Sequence, residues 1–137
     1  MAAVGNITIN NGAATPVAKT FNPAIVTSEL VSYQDRSSGI VLGFPEISIG
    51  NRMPSKSANS FKVTARVKIP VLEQTSPSTA TGIQPAPTLA YTLIGNIELV
   101  MPSRCSLTER KDLLAFVRNF ASNTVITTLV ENFEMPY

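Results

Sequence analysis

Phe61-Lys62-Val63-Thr64-Ala65-Arg66-Val67-Lys68-Ile69 alternates without a break, apolar at odd positions and polar at even ones. Successive side chains of a strand point to opposite faces, so this period predicts a β-strand with two unlike surfaces. Phe61, Val63, Ala65, Val67 and Ile69 make one side greasy and in need of a core. Lys62, Thr64, Arg66 and Lys68 make the other, with three cations along roughly 20 Å of strand at about 3.3 Å per residue. No acid lies between Glu46 and Glu73, a stretch that also holds Arg52 and Lys56, so residues 47–72 carry +5 while the whole chain carries +2. Two readings follow: a sheet face that docks a polyanion, or an antiparallel strand whose Lys/Thr/Arg side is only solvated.

A chain of 137 residues is expected to form one domain, residues 1–137, large enough to bury a core without disulfides. Only 15% of its residues are charged, which suits a protein that covers much of its surface with partners. There is no run of 18 apolar residues, so no membrane span and no membrane partner is expected. Met1-Ala2-Ala3-Val4-Gly5-Asn6 lacks the basic and apolar regions of a signal peptide, and the expectation is a protein kept in a cytosol.

Several chemistries are excluded. The chain has no histidine, so Ser-His, Cys-His and His-metal sites cannot be built. Cys105 is the single cysteine; it reads as a small hydrophobe rather than a nucleophile, since only Arg104 or a helix N-terminus is at hand to activate it. The close acid spacings, Glu109 with Asp112 and Glu131 with Glu134, read as solvated helix faces, and no Gly-x-x-x-x-Gly-Lys phosphate loop is present. No enzyme, cofactor, metal site or small-molecule substrate is expected.

Strands come first and helices last. Ile7-Thr8-Ile9 leads into Asn10-Asn11-Gly12, a short-hairpin signal, with a return strand from Val17 to Phe21 that Asn22-Pro23 is expected to break. Residues 1–22 therefore read as an N-terminal hairpin and 24–101 as the main sheet. Ala24 to Gln34 is extended and apolar, Asp35-Arg36-Ser37-Ser38-Gly39 is a turn, and Ile40 to Phe44 resumes a strand. Residues 74–88 hold three prolines, a glycine and no charge; a loop this long usually has a job, although a plain surface loop would look alike. Leu89 to Met101 is a second clear strand, with Thr92, Asn96 and Glu98 on one face and Ile94 among them.

Past Pro102 the period turns helical, and residues 106–134 read as a helix pair. Ser106-Leu107-Thr108-Glu109 is a capping-box sequence. Leu113, Leu114, Val117 and Phe120 form one apolar stripe; after Ser122-Asn123, Val125, Ile126, Leu129, Val130 and Phe133 form another. The expected class is α+β: an antiparallel meander with a short N-terminal hairpin and two C-terminal helices on one face. Two short helices cannot cover a sheet and also bury their own stripes. A symmetric, interlocked dimer resolves this, placing Leu113, Leu114, Val117, Phe120, Ile126, Leu129 and Phe133 in its interface.

The order of hairpin, antiparallel sheet, long uncharged loop and helix pair resembles the coat protein of single-stranded RNA bacteriophages, the levivirus type. Glu29-Leu30-Val31-Ser32-Tyr33-Gln34-Asp35-Arg36 resembles the family strand entering its first large turn. Phe61 to Pro70 is similar to the strand that ends in proline before the long loop, and Asn96-Ile97-Glu98-Leu99-Val100-Met101-Pro102 to the strand after it. The tail from Thr108-Glu109-Arg110 to Met135-Pro136-Tyr137 is similar to the helix pair and aromatic end of one branch.

The resemblance implies a homodimeric capsid subunit that assembles into an icosahedral shell in the bacterial host cytoplasm, enters the virion and packages single-stranded RNA. It also implies translational repression through an RNA hairpin. Gln74, Pro77, Gly82, Pro85 and Pro87 fall in the loop that contacts other dimers. Lys62, Thr64, Arg66, Ile94 and Asn96 fall on the RNA-facing side of the sheet, and Lys68 and Thr92 join them by alternation. Ile94 departs from the family, which places a base-stacking tyrosine there; the change removes about 1–3 kcal/mol of stacking but leaves cation-driven packaging. Two other classes share parts of the pattern: a non-viral RNA-binding dimeric module, and a tube- or pilus-like structural subunit.

Overall fold

The computed structural model describes residues 3–73, 82 and 85–137. Six strands, β1 (Ile7–Asn10), β2 (Ala18–Val26), β3 (Leu30–Gln34), β4 (Glu46–Arg52), β5 (Ser60–Glu73) and β6 (Thr88–Pro102), form one sheet in chain order. Neighbours from β1 to β5 pair antiparallel. Lys62, near the start of β5, meets Glu98, near the end of β6, so these two also run in opposite directions. Two helices follow in the chain, α1 (Leu107–Ala121) and α2 (Thr124–Asn132). The chain divides into two compact units, Met1–Met53 with Phe61–Val100, and Pro54–Ser60 with Met101–Tyr137.

In the first unit the core is small. Among the described residues Phe21, Tyr33 and Ile47 are its buried hydrophobics, with Ile7, Val31 and Val67 packed against them. Register explains the grouping: Ile7 lies opposite Phe21, and Tyr33, Ile47 and Val67 form one cross-strand row. Directly opposite residues share a face, so period-two sequences on β3, β4 and β5 deliver their odd-numbered side chains to one surface. Each buried aromatic or branched side chain there contributes about 1.5–3 kcal/mol.

In the second unit the capping box forms as the sequence predicts. Ser106 Oγ accepts from the Glu109 backbone N–H at 3.3 Å, and Glu109 Oε2 accepts from the Ser106 N–H at 2.7 Å. Donation from the Ser106 backbone N–H, seconded by the Ser106 hydroxyl, holds the Glu109 carboxyl below its ordinary pKa. Asn123 caps α2 through Val125 N–H at 3.0 Å. α2 stops at Asn132, and Phe133 takes a left-handed conformation (φ 58°) as its cap; the expected stripe therefore loses its last helical member.

Three local expectations need correction. Asn11-Gly12 makes no two-residue hairpin turn. The connection runs from Asn11 to Val17, closed by Asn11 N–H to Val17 O at 3.0 Å and by Asn11 Oδ1 accepting from Val17 N–H at 2.9 Å. A side chain that satisfies the backbone does away with the need for positive φ. Asn22-Pro23 does not end β2. The β1 pairing stops at Phe21, so Pro23 has a neighbour only on the β3 side, and a register shift between Pro23 and Ile25 absorbs the irregularity. Ile40–Phe44 is no strand: Val41–Gly43 is one turn of 3-10 helix, with Gly43 N–H to Ile40 O at 2.9 Å.

Candidate nucleic-acid interface

The even-numbered side of β5 faces the same way as its partners on β4: Lys62 lies opposite Arg52, Thr64 opposite Gly50, Arg66 opposite Ser48 and Lys68 opposite Glu46. Leu30 comes next to Gly50 from β3. Leu30, Ser48, Gly50, Thr64 and Arg66 line, together with Asn96 and Glu98 of β6, an open groove of about 270 Å³. A smaller recess beside it is lined by Glu46, Ser48, Arg66 and Lys68. Hydroxyl, amide and guanidinium groups thus converge on one sheet surface, opposite the buried row of Tyr33 and Ile47.

Gly50 keeps the floor of the groove open. A Cβ there would come within 2.8 Å of Thr64 Oγ1, a distance that forces the hydroxyl to move. The alternation Glu46, Ser48, Gly50 is visible in the sequence, but only register puts it beside Arg66 and Thr64; those groove residues escaped sequence reasoning for that reason.

Lys62, Thr64, Arg66, Lys68 and Asn96 share one side of the sheet, and Thr92 and Ile94 follow on that side of β6 by alternation. Ile94 is half exposed at 50%. One feature was not anticipated: Lys62 Nζ lies 2.9 Å from Glu98 Oε2. Both side chains are partly solvated, so the pair is worth at most about 1 kcal/mol, yet it commits one strand cation to an internal partner. Four cations (Arg52, Lys62, Arg66, Lys68) against two carboxylates (Glu46, Glu98) leave this face net positive.

The remaining candidates lie elsewhere. Leu113, Val117, Ile126 and Leu129 are half-buried, whereas Leu114, Phe120 and Phe133 are exposed. Gln74 and Pro77 fall outside the described residues; Gly82 has positive φ (78°), and Pro85 and Pro87 are half-buried. Cys105 is a free, half-buried thiol whose N–H bonds Pro102 O at 3.1 Å.

The model of the family described as levivirus coat protein matches residues 2–137. The chain belongs to the levivirus coat protein family. Its fold is that of solved family particles. The virus-like particle of bacteriophage ESE058 superposes with a TM-score of 0.89 at 26% identity, over 99% of this chain and 100% of that one. The particle of bacteriophage NT-214 follows at 0.85 and 24%, over the same shares. The capsid protein of bacteriophage GA keeps a TM-score of 0.70 at 13% identity, covering 96% of each chain. No curated protein matches the chain. As a levivirus coat protein it is a structural capsid subunit of a virion, self-associating into a shell, and not an enzyme.

Proposed function

We propose that this coat protein dimerises, closes an icosahedral shell in the host cytoplasm and packages single-stranded RNA against the groove face of β4, β5 and β6. The observation that carries the reading is the convergence of Arg66, Thr64, Ser48 and Asn96 on one side of a sheet whose other side is apolar. Cations supply sequence-independent attraction to phosphate, and the hydroxyl and amide groups supply donors and acceptors for bases and 2′-hydroxyls. Ile94 gives no stacking surface, which favours general packaging over tight reading of one hairpin and leaves repression a secondary activity.

Dimerisation is supported by what one chain leaves uncovered. Among the described residues β6, 15 residues long, is the last strand of the sheet, an edge that invites a second strand. Leu89, Tyr91, Leu93 and Ile97 on it are about half exposed, and α1 and α2 hold no buried residue.

The RNA reading is tested with Arg66→Ala combined with Lys68→Ala. Both side chains are exposed, so folding and shell formation should survive. RNA content should fall, and the slope of log affinity against log salt should become shallower by about 0.7–0.9 per lost phosphate contact. An unchanged slope with full RNA content would show a merely solvated face.

A further inference from the structure

The meander places three connections at one end of the sheet: residues 11–17 between β1 and β2, 35–45 between β3 and β4, and 74–87 between β5 and β6. Asp35 and Arg36 open the middle connection, but residues 11–17, 37–45 and 74–87 contain no charged side chain, whereas the connections at the opposite end carry Glu29 and Lys56. The middle one of the three also exposes its apolar groups. Val41 is 77% exposed, Leu42 56% and Ile40 39%.

This tip is built rather than slack. Ser37 N–H donates to Asp35 Oδ1 at 3.0 Å and Gly39 turns the chain with φ 73°. The 3-10 turn then closes through Gly43 N–H to Ile40 O. At Gly43 a Cβ would lie 2.7 Å from Leu72 Cδ1, so the turn is pressed against the end of β5. A fixed backbone that holds three adjacent aliphatic side chains in water marks a contact surface.

We propose that Ile40-Val41-Leu42 is a contact between neighbouring copies of this chain in the shell, apart from the groove face. The inference rests on the shell reading above. Charge selects the occupant: residues 37–45 have no cation for RNA, and an uncharged segment meets the same segment of a second copy without like-charge repulsion. Burying these side chains adds hydrophobic driving force to subunit association, at about 25 cal/mol per Å² of apolar surface removed from water.

Hydrogen exchange of residues 37–45 in wild-type particles and in dimers dissociated from them tests this without any substitution. Exchange should slow by about tenfold or more on assembly. Equal rates in both states, or full protection already in dimers, would overturn the proposal; failure of the wild type to form particles would instead overturn the shell reading. The double variant Val41→Asp with Leu42→Asp should keep the wild-type circular dichroism. It should lower particle yield by at least about tenfold, because two unpaired carboxylates would enter the contact. Normal particles from this variant would also reject the inference.

Discussion

The two halves of the sheet's apolar side behave differently. On β2, β3 and β4, Phe21, Tyr33 and Ile47 are 5–8% exposed and close a core within one chain. On β6, Leu89, Tyr91, Leu93 and Ile97 follow the same period and remain 48–59% exposed. Equal hydrophobicity and equal alternation thus end in opposite environments. Three side chains of the first half are covered by its own strands, although Ile25 and Ile49 there stay exposed; the second half is left open, as the proposed dimer requires. A subunit built to be completed by copies of itself is expected to divide its apolar residues in this way.

The largest effect should come from breaking the finished half. Ile47→Ala should cost about 2–5 kcal/mol, read as a lower denaturation midpoint of dissociated subunits, with loss of particles as a consequence. Leu93→Asp on the open half should spare the β-sheet signal in circular dichroism but weaken the dimer by about 2 kcal/mol or more, roughly thirtyfold in dissociation constant. Sedimentation showing an undiminished dimer would mean that β6 is solvated, and the contrast between the halves would lose its meaning.

Glu98→Gln sharpens the account of the groove face. It releases Lys62 from its 2.9 Å partner, so RNA binding should tighten and the salt slope should steepen by up to about 0.7–0.9. Subunit stability should move by less than about 0.5 kcal/mol. No change in RNA binding would show that Lys62 takes no part.

The smallest effect concerns acid. Backbone N–H donation from Ser37 to Asp35, seconded by the Ser37 hydroxyl and the charge of Lys19, holds the Asp35 carboxyl below its ordinary pKa against the opposing effect of burial. Glu109 is lowered by Ser106 in the same sense. Both carboxyls are depressed in the folded state, so their stabilisation is full above the ordinary carboxylate range and lost as pH falls through the folded values. Asp35→Asn and Glu109→Gln should each lower stability slightly at neutral pH, where that contribution is full, and flatten the acid limb of the stability profile.

What the sequence by itself determined was whatever a few neighbouring residues decide. Phe61–Ile69 had to be a two-faced strand because its period is 2, and Ser106 to Glu109 had to start a helix because both halves of the cap lie within four residues. The levivirus resemblance stood on the order of such local elements, and the bacteriophage GA capsid protein keeps the fold at 13% identity. Contacts between distant residues were decided only by tertiary structure. Pro23 could remain in β2 because β1 had already ended, a matter of strand length on a neighbour. Ile40–Phe44 became a 3-10 turn because it must cross from β3 to β4 and rest on Leu72. Ser48 and Gly50 joined the groove, and Glu98 found Lys62, through cross-strand register alone. Register is fixed by the sum of all pairings across the sheet, and no short window of sequence contains it.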